Sequence, residues 1–385
     1  MRRLLLLVGA IVFVDTMFFS AITPLLPHYA ERFGLSKTGA GILSGSYAAG
    51  AVIGTVPSGW LATRAGSRRA ALVGLLLMAT SSVGFAFGHT FVLLTALRFV
   101  DGVGGACAWA GGMGWLLAVT PAEQRGATIG AAMSAALAGV LLGPVVGAVA
   151  QGVGPELPFT TIGAFAALLA LAALRMPAPP PLVTTAKRPY ATALRDERVR
   201  TGAFLVLVPA LVYGTIEVLA PLALNRLGAS GIAIGATFLA AAAIECVGQI
   251  AIGRATDRLG RGLPIRIGFI GATVSLLLLP LPATAWLFAI PVVLACVFSG
   301  IVNTPAMTLL SDGVEQTGLD YGLGFAIVNL VWGGGQVLGA IGGGTLASVT
   351  SDTAAYLLLA GICTATLLTV AARLRDRPAV PTRAE

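Results

Sequence analysis

The chain alternates between long apolar runs and short clusters of polar and charged residues. Each run is about as long as a helix needs to cross the hydrocarbon core of a bilayer, roughly 20 residues at 1.5 Å per residue. The pattern predicts twelve membrane helices, over 4–27, 40–62, 70–88, 91–118, 126–150, 158–175, 202–224, 231–253, 264–282, 285–310, 321–347 and 354–372. The longest interruption, 176–200, starts proline-rich and ends charged, and it divides the chain into six spans (1–175) and six more (201–385). A repeat supports that division. GWLATRAGSRR (59–69) follows the second span and GRATDRLGRGL (253–263) follows the eighth, 194 residues later, and both fit Gly-x-x-x-(Asp or Thr)-Arg-x-Gly. Two homologous halves around a central loop suggest alternating access, one bundle rocking against the other about a site near the midplane.

Composition agrees. Of 385 residues 57% are hydrophobic and only 10% charged, against roughly 25% charged in soluble domains, so the expectation is an all-α integral membrane protein. The formal charge of +8 is a topology signal: 20 of the 24 Lys and Arg fall on the side of the termini, Arg32, Lys37 and Arg226 fall on the other side, and Arg98 lies within a span. By the positive-inside rule this puts both termini in the cytoplasm, and nothing points to nucleic acid. The start, MRRLLLLVGAIVFV, has the basic residues and short apolar core of a signal peptide. Asp15 follows at once, with no small-x-small cleavage site and eleven more spans, so the segment reads as the first membrane helix. Cys107, Cys246, Cys296 and Cys363 lie inside spans without metal-type spacing and read as small buried residues. His28 and His89, at predicted outer ends of spans, read as solvated.

The two repeated loops resemble the cytoplasmic gating motif of the major facilitator superfamily, and LTALRFVDGVGGA (94–106) resembles its span-4 arginine motif. The stretch GVLLGPVVGA (139–148), with Gly139, Gly143, Pro144 and Gly147, resembles the span-5 signature of its proton-coupled antiporters. Small residues every fourth position also fit ordinary close helix packing. DTMFFSAITPLLP (15–27), FAFGHTFVLLTALRFVDGVG (85–104), GGMGWLLAV (111–119), RGATIGAAMSAALAGVLLGP (125–144) and TIEVLAPLAL (215–224) narrow the resemblance to the drug:proton antiporters and their vesicular amine transporter branch. The resemblance implies the major facilitator fold, twelve transmembrane helices in two six-helix bundles, working as a monomer.

Four acids lie inside spans: Asp15, Asp101, Glu217 and Glu245. Each charged acid at mid-bilayer opposes insertion by about 2.5–3.5 kcal/mol, which marks such residues as functional candidates. By resemblance, Asp15 and Glu217 match the first-span and seventh-span acids of amine transporters, and are expected to bind a substrate cation and a proton in competition. Arg98 and Asp101, three apart, share a helix face and form either an internal salt bridge or a proton switch that releases Arg98. Glu245, with Gln249 one turn on, either joins the coupling or faces a vestibule.

The chain departs from the branch pattern at several places. Asn303 and Asn329 stand where the branch has acids, Tyr47 where it has a lysine, and Asp101 where it has a glutamine. Asn303, Asn329, Trp332 and Gln336 are expected to line a cavity or to pack. In the gating loops Gly59, Arg64, Gly66, Arg68 and Arg69 fit the first copy, with Thr63 in place of the usual aspartate. Gly253, Asp257, Arg258, Gly260 and Arg261 fit the second. Arginines and an acid at helix ends are expected to latch the two halves on the cytoplasmic side.

No nucleotide loop, metal cluster or catalytic triad pattern is visible, so neither an enzyme nor a cofactor is expected, and transport is expected to draw on a proton gradient. Three functions fit this pattern. The first is proton-coupled export of small cationic or amphipathic compounds, the second is the same fold carrying a neutral or anionic metabolite such as a sugar, and the third is a non-transporting sensor. The alanine and glycine richness fits a high-GC bacterial source, hence a bacterial inner membrane.

Overall fold

The computed structural model describes residues 1–121, 124–178, 196–316 and 321–374, which are helical throughout apart from short connections. The helices are α1 (Arg2–Phe33), α2 (Lys37–Arg64), α3 (Ser67–Ala86), α4 (Phe91–Ala118), α5 (Arg125–Val153), α6 (Glu156–Leu174), α7 (Glu197–Arg226), α8 (Gly231–Leu259), α9 (Gly262–Leu278), α10 (Ala285–Gln316), α11 and α12 (Asp352–Leu374). α11 runs over Tyr321–Val337, passes through a π-helical turn at Leu338–Gly343 and ends as Gly344–Val349. Polar caps fix the starts: the Ser36, Thr90 and Ser230 hydroxyls accept N–H bonds from Gly39, Leu93 and Ala233, and Asp196 accepts from Arg198 and Val199. Such caps satisfy backbone donors that the first helical turn leaves over.

Eleven of the helices are long and apolar enough to cross a membrane, with Gly262–Leu278 a shorter apolar helix. The span expected at 264–282 is therefore truncated. Pro280 and Pro282 follow the helix, and a proline disfavours helical geometry in the residue before it. The central segment expected at 176–200 falls mostly at 179–195, outside the described residues.

Within the first six helices α1 packs on α5, α2 and α3 on α4, and α3 on α6; within the last six α7 packs on α10 and α11, α9 on α10 and α12, and α8 on α10. The two sets meet where α5 touches α8, α2 touches α11, and α1 touches α7.

The span-5 signature is a packing surface for α1. A Cβ on Gly139 or Gly147 would strike the Phe13 or Ala21 carbonyl, and one on Gly143 would strike Ser20. Pro144 lacks an N–H, which frees the Val140 carbonyl one turn earlier; the Ser20 hydroxyl of α1 lies 3.3 Å from that oxygen, and Thr16 donates to the Ala136 carbonyl at 2.7 Å. The other face of the Pro144 turn meets α8, where a Cβ on Gly235 would lie 2.9 Å from the Pro144 carbonyl. The π-turn of α11 is held in the same way: Thr215 of α7 donates to the Gly339 carbonyl at 3.0 Å, and Gly41 of α2 fits against Ala340.

At the end of the bundle that carries the α1–α2 connection, one carboxylate forms ion pairs to both sets. Asp352 at the start of α12 pairs with Lys37 of α2 at 2.6 Å and with Arg226 of α7. Thr38 donates its N–H to the Ser348 hydroxyl at 3.0 Å, and Asn225 donates to Glu31 at 2.6 Å. The gating loops lie at the opposite end, and their contacts stay within their own sets. Arg68 holds the Ala173 and Leu174 carbonyls at the end of α6, Arg64 lies over the Trp60 ring and Arg261 pairs with Asp312. Gly66 and Gly260 take positive φ, 93° and 78°, at the turns that leave α2 and α8. The expected latch between halves is thus not made by these arginines in this conformation, because each finds helix-end carbonyls, a ring or an acid in its own set. The Asp257 side chain lies outside the described residues; Gly59, Gly253 and Arg258 lie on α2 and α8 beside these turns.

Asp352→Asn is expected to loosen this closed end. Solvent-screened ion pairs of this kind contribute about 1 kcal/mol. Oxidative cross-linking of a Thr38→Cys, Ser348→Cys pair is expected to proceed more slowly once Asp352 is neutralised.

Candidate functional site

Asp15 sits in the middle of α1 and is only 1% exposed. Two neutral donors hold it, one on each oxygen: the Tyr47 hydroxyl of α2 at 2.8 Å and the Trp109 indole of α4 at 2.7 Å. Gly105, one turn before Trp109, makes the room, since a Cβ there would lie 2.8 Å from the Tyr47 hydroxyl and closer still to the Asp15 carboxylate. Neutral donors stabilise a buried carboxylate without cancelling its charge, so Asp15 remains an attractor for a cation.

Arg98 and Asp101 are fully buried on the same face of α4. Their closest approach is 3.9 Å, which is long for an ion pair. The guanidinium donates instead to the Phe18 and Phe19 carbonyls of α1 at 3.3 and 3.2 Å, and it lies 5.1 Å from the centre of the Tyr47 ring. Ser81 of α3 donates to one Asp101 oxygen at 3.3 Å, while the other oxygen has no hydrogen-bond partner. Arg98 thus keeps a long ion pair with Asp101 while its hydrogen bonds go to α1.

A second group lies across the interface. Glu217, half-buried on α7, is in the field of Arg98. One turn earlier on α7, Tyr213 meets Trp332 of α11 with ring centres 5.5 Å apart and planes tilted by 57°, and donates to Glu245 of α8 at 2.5 Å. Gln249, one turn beyond Glu245, accepts from Thr304 of α10 at 2.8 Å. Asn303, beside Thr304, has a buried oxygen without a hydrogen-bond partner. Gln336 is buried on α11, its backbone against Gly214 of α7, and Asn329 lies one turn before Trp332. The π-turn begins two residues beyond Gln336.

The structure thus brings Asp15, Tyr47, Arg98 and Asp101 together in the first set, and Glu217, Glu245 and Trp332 in the second. Asn303 borders the second group. Asn329 and Gln336 fall on α11 near it without joining its hydrogen bonds. Sequence reasoning missed Trp109, Tyr213, Ser81 and Gly105. Helical spacing carried part of the signal: Gly105 and Trp109 continue the Arg98 face at 7 and 11 residues, and Tyr213 precedes Glu217 by four. The four cysteines are free and three of them are buried, while His28 and His89 are exposed.

Residues 8–324 match the Major Facilitator Superfamily, and the chain belongs to that family. It is 26% identical over 271 residues to the uncharacterized MFS-type transporter YcaD of Escherichia coli, covering 69% of each chain. It is 27% identical over 295 residues to the synaptic vesicular amine transporter of Bos taurus, covering 75% of this chain and 57% of that one. Among solved structures, a bacterial homolog of the human lysosomal transporter Spinster, in an inward-facing conformation, superposes with a TM-score of 0.76 at 16% identity, over 99% of both chains. The nucleoside transporter NupG superposes with a TM-score of 0.72 at 15% identity, over 96% of this chain and 99% of that one. Family and fold are those of membrane transporters that work by alternating access. The chain is a multi-pass membrane protein of that kind.

Gly105→Ala is expected to lower the thermal unfolding midpoint in detergent, since overpacking a filled site costs about 1–3 kcal/mol. Gly130→Ala, whose added Cβ meets open space, is expected to leave the midpoint unchanged or raise it, because alanine suits a helix better by about 0.5–1 kcal/mol.

Proposed function

We propose that this protein exports small organic cations in exchange for protons. The observation that carries the reading is a set of acids inside the apolar helices, divided between the two halves and held by neutral groups: Asp15 by Tyr47 and Trp109, and Glu245 by Tyr213. Acids with no lysine or arginine in direct hydrogen-bonded contact suit an exchange of proton for cation, because the site then holds one positive charge in either state. The identity with a vesicular amine transporter supports the same class of cargo. A membrane potential of 100 mV supplies about 2.3 kcal/mol for each charge moved, and a proton gradient adds to it.

The positive-inside bias places the termini in the cytoplasm. On that reading the end closed by Lys37, Asp352 and Arg226 faces outward, and the conformation is inward-facing, in a bacterial inner membrane. Alternation then requires the Asp352 pairs and the α2–α11 contact at the π-turn to open while the gating loops come together.

A second reading, a neutral or anionic metabolite as cargo, is favoured by Asn303 with its unpartnered oxygen and by Tyr47 and Asn329, which put neutral groups where the amine branch has charges. One experiment separates the two. Proteoliposomes carrying the native chain, under an imposed pH gradient, are expected to move ethidium, and Asp15→Asn with Glu217→Gln is expected to abolish that movement. Absence of ethidium movement by the correctly inserted native chain would favour the metabolite reading and direct the search to Asn303, Asn329 and Tyr47.

A further inference from the structure

Glu245 lies against a tyrosine that also reaches a backbone carbonyl, and one turn from a second polar pair. The Tyr213 hydroxyl is 2.9 Å from the Cys296 carbonyl oxygen and 2.5 Å from Glu245 Oε2. A phenol carries one proton. The carbonyl and an ionised carboxylate both only accept, so with Glu245 ionised the one phenol proton is shared between two acceptors, whereas a proton on the carboxyl fills both contacts. The Thr304 hydroxyl donates to Gln249 Oε1 at 2.8 Å. With its oxygen taken by Thr304, Gln249 has only its NH₂ to turn toward Glu245. With the carboxyl protonated, Glu245 donates to Tyr213 and Tyr213 donates to the Cys296 carbonyl.

The site is also shaped for that carboxyl. α10 has Gly300 where it passes Glu245, and a Cβ there would come within 2.6 Å of the carboxyl carbon and Oε1. The titratable groups facing Glu245 are Tyr213 on α7 and Cys296 on α10, with Glu217 acting on both. Asp15 differs from it at one oxygen. Asp15 receives hydrogen bonds from an indole N–H, which has no lone pair to accept a carboxyl proton, and from a phenol.

We propose that Glu245 is the seat of the coupling proton, separate from the place where the cation sits on Asp15 and Glu217, with Tyr213 and Gln249 positioning its carboxyl. This deepens the antiport reading and rests on it for the identity of the cargo. In the cycle the Glu245 carboxylate takes a proton from water on one side and becomes neutral, then returns it to water on the other. The cation moves the opposite way on Asp15 and Glu217.

Two measurements on the full chain in lipid vesicles test it. Infrared difference spectra between acid and alkaline pH report the carbonyl stretch of protonated carboxyls. Glu245→Gln is expected to remove one component of that band, and Asp15→Asn with Glu217→Gln to keep it. A band unchanged by Glu245→Gln overturns the proposal. Ethidium exchange at equal pH needs the cation site alone, whereas gradient-driven accumulation needs the proton seat as well. Glu245→Gln is expected to retain exchange and lose accumulation; loss of both by a folded variant, or retention of both, overturns the separation of sites. Gly300→Ala, which crowds the carboxyl without changing it, is expected to alter the same infrared component, and a spectrum identical to the native one counts against the site. If native protein moves no ethidium yet loses the component in Glu245→Gln, the cation reading fails and the proton seat stands. If ethidium moves and the band is unchanged, the reverse holds.

Discussion

No water reaches the hydrocarbon layer to serve an unpaired carbonyl or a bare charge, so each must find its partner inside the protein. The unusual residues of this chain answer to that one requirement. Pro144 frees the Val140 carbonyl, and Ser20 stands beside it. The π-turn in α11 disturbs the helix ladder at Gly339, and Thr215 supplies a hydroxyl. Arg98 has no water, and takes the Phe18 and Phe19 carbonyls and the Tyr47 ring. Two oxygens of Asp15 meet two donors.

The same constraint separates what is fixed from what moves. Lipid offers no hydrophobic drive for helices to associate, so they hold by close packing and by hydrogen bonds. Inside the first six helices that packing is continuous: the glycines of α5 bring its backbone against α1 over two turns. Between the halves it is heaviest for α2 on α11 and α5 on α8, with lighter contacts of α1 and α2 on α7 and of α1 on α8, and among the described residues the ionic joint sits at one end on Asp352. Few contacts therefore have to break for the halves to rock, and the π-turn lies in the interface where they would pivot.

Much of the fold was legible in the sequence, because a membrane helix has to be apolar for its full length. Eleven of the twelve spans emerge as long helices, and the twelfth is cut short by Pro280 and Pro282, a stop the apolar count alone ran past. The site was legible in part. Asp15, Arg98, Asp101, Glu217 and Glu245 stood out because a charge in an apolar run is costly. Trp109 and Tyr213 carry no such penalty and looked like any other aromatic residue of a span. The gating arginines were legible as helix-end charges, but which carbonyl or acid each one grips depends on how far apart the halves stand.

What the sequence determined by itself is the class of the molecule, since composition and run length state how much of the chain must avoid water, and charge in an apolar run states where that rule is broken. Tertiary structure alone decided the pairings. Tyr47 meets Asp15 from 32 residues away, Tyr213 meets Glu245 at the same separation, and Lys37 meets Asp352 across the two halves. Each depends on the rotation of one helix against another, and helix rotation is set by the packing of small residues in three dimensions, which no local pattern encodes.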